Sequence, residues 1–146
     1  LQLQFWLDGD RVLSKYIAPA FYCGFEGMLH GGLIGTLLDE IAAWTVGIKT
    51  LHMGVTLRAT ITYRRPVPVG QTLILEGRIE KIDSMENPTE ATVKSTILSD
   101  KGMILAEATS DWKFPPIPLF AKMSGIPEEK LEKMIAKIIE PLRNLN

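Results

Sequence analysis

Hydrophobic and polar residues alternate with two different periods along this chain, and the changes of period mark its elements. Leu1, Leu3, Phe5 and Leu7 share one face of an extended N-terminal segment. Asp8-Gly9-Asp10 is a turn signal, and RVLSKYIA after it reads as a second strand. A glycine-punctuated loop, PAFYCGFEGMLH, leads to residues 31–47, which read as a helix apolar on nearly every side. Period two then returns: in GVTLRATITY, Val55, Leu57, Ala59, Ile61 and Tyr63 alternate with Thr56, Arg58, Thr60 and Thr62. Pro66, Pro68 and Gly70 end that strand. QTLILEGRIEKI is the next, followed by a turn over residues 83–88. EATVKSTIL and MILAEATSDWKF form the last pair, joined by Ser99-Asp100-Lys101-Gly102. Short turns between consecutive strands favour antiparallel pairing.

Pro115, Pro116 and Pro118 close the sheet region. A terminal helix starts near Pro127, a residue suited to a first helical position, with Glu128 and Glu129 favourably placed in its first turn. Leu131, Met134, Ile135, Ile138, Ile139 and Leu142 form its apolar stripe. The expected architecture is α+β: about six antiparallel strands wrapped around one long helix, then a C-terminal helix. Residues 1–114 form the domain. Residues 115–146 form an extension that packs on it or on a neighbouring subunit.

Composition narrows the function. A chain of 146 residues, nearly half hydrophobic and with a net charge of −1, is neither disordered nor built to bind nucleic acid. No membrane role is expected: Asp39-Glu40 breaks the longest apolar run, and the terminal helix mixes Lys with Glu on its polar face. LQLQFWLDGD lacks a basic region and a cleavage site, so no signal peptide is expected within these residues. The single cysteine, Cys23, reads as a small apolar filler and favours a reducing, cytoplasmic setting. His30 and His52 have no ligand-like neighbours, so no metal is expected.

The chemistry concentrates in GMLHGGLIGTLLDEIAAW, residues 27–44. Asp39 and Glu40 lie about 100° apart on a helix, so they face different surroundings. An unpaired carboxylate in an apolar helix is unfavourable unless it is solvated, paired or used. His30-Gly31-Gly32 is a weak way to begin a helix for stability. It does leave backbone N–H groups accessible at the positive end of the dipole, where an oxyanion can be held. A donor site and a carboxylate base together suit hydrolysis of an activated acyl group. A tight entry turn and an exposed acidic stripe are the plainer alternatives.

These residues resemble the signature of hotdog-fold acyl-CoA thioesterases of the phenylacetyl-CoA thioesterase type. Gly27, His30, Gly31, Gly32, Leu37 and Asp39 all fit its spacing, and GVTLRATITYRRPVPVG resembles the family's central strand and Pro-rich corner. The resemblance covers about residues 1–114. It implies hydrolysis of an acyl-CoA to a carboxylic acid and CoA, with no cofactor. Asp39 takes the place of the catalytic base or nucleophile, and Gly31 that of the residue whose N–H polarises the carbonyl. His30 supports the loop or the carbonyl, and Thr56 helps to place water. Gly32, Tyr63, Arg64, Arg65 and Lys81 are implied to meet the substrate, the cations at the CoA phosphates. For Thr56 and the cations, an ordinary strand threonine and solvated surface charges remain alternatives. The sequence departs from many relatives at Gly24, where they carry Asn.

Gly31 and Asp39 are eight residues apart, about 12 Å along one helix. A thioester needs both within roughly 3–3.5 Å of its reacting atoms. Each site is therefore expected to take Asp39 from one subunit and Gly31 from another, in a homodimer or homotetramer. Two rivals stay open: a non-catalytic acyl-CoA-binding or sensing protein, and a dehydratase acting on hydroxyacyl thioesters. For the dehydratase, the histidine pattern is not seen.

Overall fold

The computed structural model describes residues 1–144; the last two residues of the expected extension lie outside it. Gly9, with φ of +63°, turns β1 (Phe5–Asp8) into β2 (Arg11–Ile17), which pairs with it from Asp8↔Arg11 to Phe5↔Ser14. Only the second half of the N-terminal alternation is strand. The glycine-rich loop holds more structure than its composition announces. A short 3-10 turn, Ala20–Tyr22, precedes a small hairpin of β3 (Cys23–Phe25) and β4 (Met28–Leu29) around Gly27.

The central helix α1 (Gly31–Thr50) runs three residues beyond the expected end. Its last turn buries Ile48 and satisfies Thr50 internally, through Thr50 Oγ1 donating to Val46 O at 2.7 Å. Leu51, in the left-handed region, stops it. Four long strands follow: β5 (Val55–Tyr63), β6 (Thr72–Ile82), β7 (Glu90–Ser99) and β8 (Ile104–Lys113). With β1 and β2 they make one antiparallel sheet, as the short turns predict, in the order β1-β2-β6-β7-β8-β5.

α1 lies across the inner face of this sheet. Leu37, Leu38, Ile41 and Ile48 from the helix meet Val12, Leu73, Leu75 and Ile97 from the strands, all at most 1% exposed. Each such side chain contributes on the order of 1.5–3 kcal/mol by leaving water. Gly77 on β6 sets the closeness of the contact: a Cβ there would collide with Thr45 Oγ1 and stand 3.0 Å from Ile41 O. By length and hydropathy α1 could cross a membrane. It instead lies in the domain core, with Asp39 exposed and Glu40 half-buried.

The C-terminal segment differs from expectation in two ways. Pro118 lies in the first turn of a helix, α2 (Ile117–Ser124), where its missing N–H is harmless, so these prolines open an element as well as closing the sheet. The terminal helix is divided into α3 (Glu128–Met134), a π-helical turn (Ile135–Ile139) and α4 (Glu140–Arg143). Pro141 has no N–H for Lys137 O and crowds that carbonyl, a physical cause for the widened turn. Leu131 and Ile139 are buried and Ile135 and Leu142 pack on the core, whereas Ile138 is 49% exposed and leaves the expected stripe.

Candidate active site

The start of α1 is held by the loop and the Pro-rich corner. Leu29 N–H donates to Val67 O at 2.8 Å, Val69 N–H to Gly27 O at 3.1 Å and His30 N–H to Tyr22 O at 3.0 Å. His30 is the N-cap: its Nδ1 accepts from Gly32 N–H at 3.0 Å. Tyr63 at the end of β5 donates its hydroxyl to Gly31 O at 3.2 Å. The donors the sequence offered are thus divided. Gly32 N–H is spent on the cap, while Gly31 N–H makes no hydrogen bond among the described residues.

The glycines have different reasons to be glycine. A Cβ on Gly32 would stand 3.1 Å from His30 Nδ1, and one on Gly35 would stand 3.2 Å from Ile61 Cδ1, both tight. A Cβ on Gly31 would meet only the Tyr63 ring at 3.7 Å, an ordinary contact. Gly24 lies against the same histidine: a Cβ there would stand 3.2 Å from His30 Cα and 3.4 Å from its Cδ2. The departure from Asn at this position therefore goes with a close approach of the strand to His30.

Two turns further along, Asp39 is exposed and Glu40 half-buried. Thr56 Oγ1 donates to Asp39 Oδ1 at 2.8 Å. Strict alternation would put Thr56 on the outer face of the sheet with Arg58, Thr60 and Thr62. A β-bulge prevents this. Opposite β8, Thr56 pairs with Trp112 and Arg58 with Asp111, leaving Leu57 as the extra residue. Trp112 points into the core and Asp111 out of it, where it binds Arg58. The bulge thus turns Thr56 inward, to the side of Ala59, Ile61 and Tyr63, and leaves Leu57 60% exposed. Hydrogen-bonded on one oxygen, the Asp39 carboxylate keeps Oδ2 for another partner. Glu40 makes no ion pair or side-chain hydrogen bond among the described residues.

With this geometry in view, likeness to other proteins acquires meaning. Residues 26–85 match the model of the thioesterase superfamily. An acyl-coenzyme A thioesterase THEM4 from Xenopus laevis is 32% identical over 110 residues, covering 73% of this chain and 46% of that protein. A Streptococcus mutans protein solved bound to acetyl CoA superposes with a TM-score of 0.68 at 25% identity, over 79% of this chain and 90% of its own. The PaaI protein of the E. coli phenylacetic acid degradation operon superposes with a TM-score of 0.69 at 16% identity, over 80% and 81% of the two chains. The chain carries a hotdog domain of the thioesterase superfamily. It spans less than half the length of the curated relatives it matches.

The hotdog sheet separates the cations expected to act together. Arg64 and Arg65 follow β5, both donating backbone N–H to Leu105 O at 2.9 Å. Arg64 is committed to Glu107 at 2.5 Å, and that hydrogen bond holds the Glu107 carboxyl below its ordinary range. The Arg65 guanidinium makes one hydrogen bond among the described residues, donating from Nη1 to Ile104 O at 3.0 Å. Lys81 lies at the other end of the sheet. Its neighbour Thr92 pairs with Asp111, which pairs with Arg58, whereas Tyr63 pairs with Ala106. Within one chain Lys81 therefore does not join Arg64 and Arg65, because six to seven strand residues separate their rows.

Two serines near Asp39 had no signal in the sequence. Ser95 and Ser110 line a small recess with Asp39, Gly35 and Ala59. Ser110 accepts from Trp112 Nε1 at 2.7 Å, and buried Ser95 Oγ has no partner. Only the inward phase of β7 and β8 would have marked them, and apolar neighbours gave no reason to single them out. No group of three metal-ligating side chains occurs among the described residues.

Proposed function

We propose that the chain is an acyl-CoA thioesterase: acyl-CoA and water give a carboxylic acid and CoA. The Asp39–Thr56 pair carries the reading, an exposed carboxylate with one oxygen fixed and one available, on a helix that begins with an unpartnered N–H. As general base, Asp39 Oδ2 takes a proton from water as the water oxygen bonds to the thioester carbon. The carbonyl oxygen becomes an oxyanion held by Gly31 N–H. The intermediate then collapses, breaking the C–S bond, and the CoA sulfur leaves with the proton. Asp39 attacking the carbon directly, with water cleaving the resulting anhydride, uses the same atoms. Thr56 orients Asp39, His30 fixes the helix start by capping it, and Tyr63 holds Gly31.

The two poles come from two copies of the chain, as a homodimer or homotetramer. Asp39 and Gly31 stand eight residues apart on one rigid helix, about 12 Å. β5 supports this reading because it is an edge strand of nine residues, mostly exposed, with one side unpaired. Arg65 and, after release from Glu107, Arg64 offer charge to CoA phosphates near that edge. Lys81 belongs to this group only if it comes from another copy. Cys23 is exposed and so is not the apolar filler expected; a reducing cytoplasmic setting is proposed from its being the single cysteine. The reaction calls for no cofactor.

The test is release of free thiol from a panel of acyl-CoAs by wild type and Asp39→Asn. Loss of about 10²–10⁴-fold in kcat is expected on removing the base. Equal turnover by both proteins removes Asp39 from the mechanism. Tight acyl-CoA binding with no hydrolysis by wild type favours the non-catalytic binding or sensing protein, for which Gly24 in place of Asn is the motivating observation.

A further inference from the structure

Away from the Asp39–Thr56 pair, a half-open cavity of about 210 Å³ lies between the second half of α1 and the C-terminal segment. Ala43, Trp44 and Gly47 form its floor, Met53 one side, and Met134 and Ile139 its roof. No charged side chain lines it. His52, its one strongly polar neighbour, is turned to Thr50 O, 2.8 Å from its Nδ1. A ligand for such a cavity is a hydrocarbon and excludes the phosphates and ribose of CoA.

The surface of α1 leads from the candidate site to the cavity. Asp39, Ala43 and Gly47 follow at intervals of four, turning about 40° per step around α1. The track from Asp39 reaches the cavity at Ala43 after about 6 Å and its far end at Gly47 after about 12 Å, the latter the reach of an extended aliphatic chain of roughly ten carbons. Its residues are small. A Cβ on Gly47 would already stand 3.5 Å from Ile139 Cδ1, so anything larger than alanine closes the far end. Trp44 is fixed by stacking on Phe5 at 4.6 Å, which gives the floor a defined edge.

The roof owes its position to the π turn. Leu131, Ile135 and Ile139 also recur at intervals of four, a spacing that drifts about 40° per step in an α-helix and is held in line by a wider turn. Ile139 is thereby laid on Gly47, and Met134 at the preceding helix end hangs over the remaining space. Methionine adapts to chains of variable shape. These roof residues lie outside residues 26–85, the part that matches the superfamily model.

We propose that this cavity receives the distal end of the acyl chain, so that the C-terminal segment, through Met134, sets a preference for medium-length aliphatic acyl groups. The inference rests on the thioesterase reading and adds the substrate class to it. The experiment measures kcat/KM of the full chain for saturated acyl-CoAs from butyryl to palmitoyl, in wild type, Met134→Trp and Met134→Ala. In Met134→Trp the decanoyl-to-butyryl ratio falls about tenfold or more, as expected when two or more methylenes lose their burial. In Met134→Ala the optimum moves to longer chains. Opposite shifts distinguish a wall from a residue that only supports the fold. The same factor at every length, or an unchanged profile in both variants, overturns the proposal while leaving the thioesterase reading intact. If wild type hydrolyses none of the esters, that reading fails and the cavity is read by calorimetry with non-hydrolysable acyl-CoA thioethers. Affinity that grows with chain length in wild type and flattens in Met134→Trp supports the cavity; affinity independent of length in both overturns it.

Discussion

The two halves of α1 obey different rules. From Ile41 to Thr50 seven of ten residues are buried and none is fully exposed, threonines are satisfied by the preceding turn, and the C-cap closes onto Gly47. From Gly31 to Glu40 the helix carries three glycines and two adjacent carboxylates, with Asp39 in solvent. The second half is arranged for stability. The first accepts a weaker helix, and what it presents instead is an unpartnered N–H at one end and a half-bonded carboxylate at the other. Function and stability on this helix are therefore separable by position, and substitutions should reveal the division.

Asp39→Asn gives the sharpest contrast: the expected loss of thiol release is about 10²–10⁴-fold, with a thermal midpoint close to that of wild type. Ile48→Ala in the other half reverses the pattern. It lowers stability by about 2–5 kcal/mol in urea titration and leaves turnover per folded molecule near wild type. A large activity loss in folded Ile48→Ala, or marked unfolding of Asp39→Asn, breaks the division.

Thr56→Val keeps shape and removes the hydrogen bond to Asp39. Its expected effect is a fall of about 10- to 100-fold in kcat, the range for a hydrogen bond to a charged group, with little change in KM. Gly32→Ala disturbs the His30 cap and lowers stability by about 1 kcal/mol, whereas Gly31→Ala leaves the thermal midpoint within error, because only Gly32 is in close contact with the histidine.

A control outside α1 has the smallest effect. Asp83, in the turn between β6 and β7, accepts from the Thr89 hydroxyl and from the N–H groups of Thr89, Glu90 and Ser84. These bonds, the Thr89 hydroxyl foremost, hold its carboxyl far below the usual range. A carboxyl lowered on folding adds stability above its unfolded value and loses it as pH falls through its folded value. Asp83→Asn is therefore less stable than wild type near neutrality, and melting curves of the two converge as the medium becomes strongly acidic. A gap that widens in acid contradicts the turn geometry.

The strands along the chain and the helix position were legible because period two and near-uniform apolarity leave few alternatives for a sheet wrapped on one helix. Asp39, Gly31 and His30 were legible because residues out of keeping with a core helix stand out. Three things were not. The hairpin before α1 is built from glycines that read as loop. The π turn depends on Pro141 acting on Lys137, a consequence of three-dimensional crowding within a stripe that looks regular. The bulge at Leu57 is hidden by TLRATIT, whose alternation is faultless as written. Thr56 entered the candidate site by resemblance, as a residue that places water; its hydrogen bond to Asp39 had no signal, and alternation alone argued against it.

That bulge gives the domain a discrete point of control. The residues of β5 could remain identical, and straightening the bulge alone would set Leu57 opposite Trp112 and Thr56 opposite Lys113, sending Thr56 to the far side of the sheet from Asp39. The scaffold would keep its hydrogen-bond ladder and its core, and the carboxylate would lose its companion. Whether such a domain works on a thioester or merely holds one can then hinge on parity, a property of the pairing that the same residues can carry either way and that no count of matching residues detects.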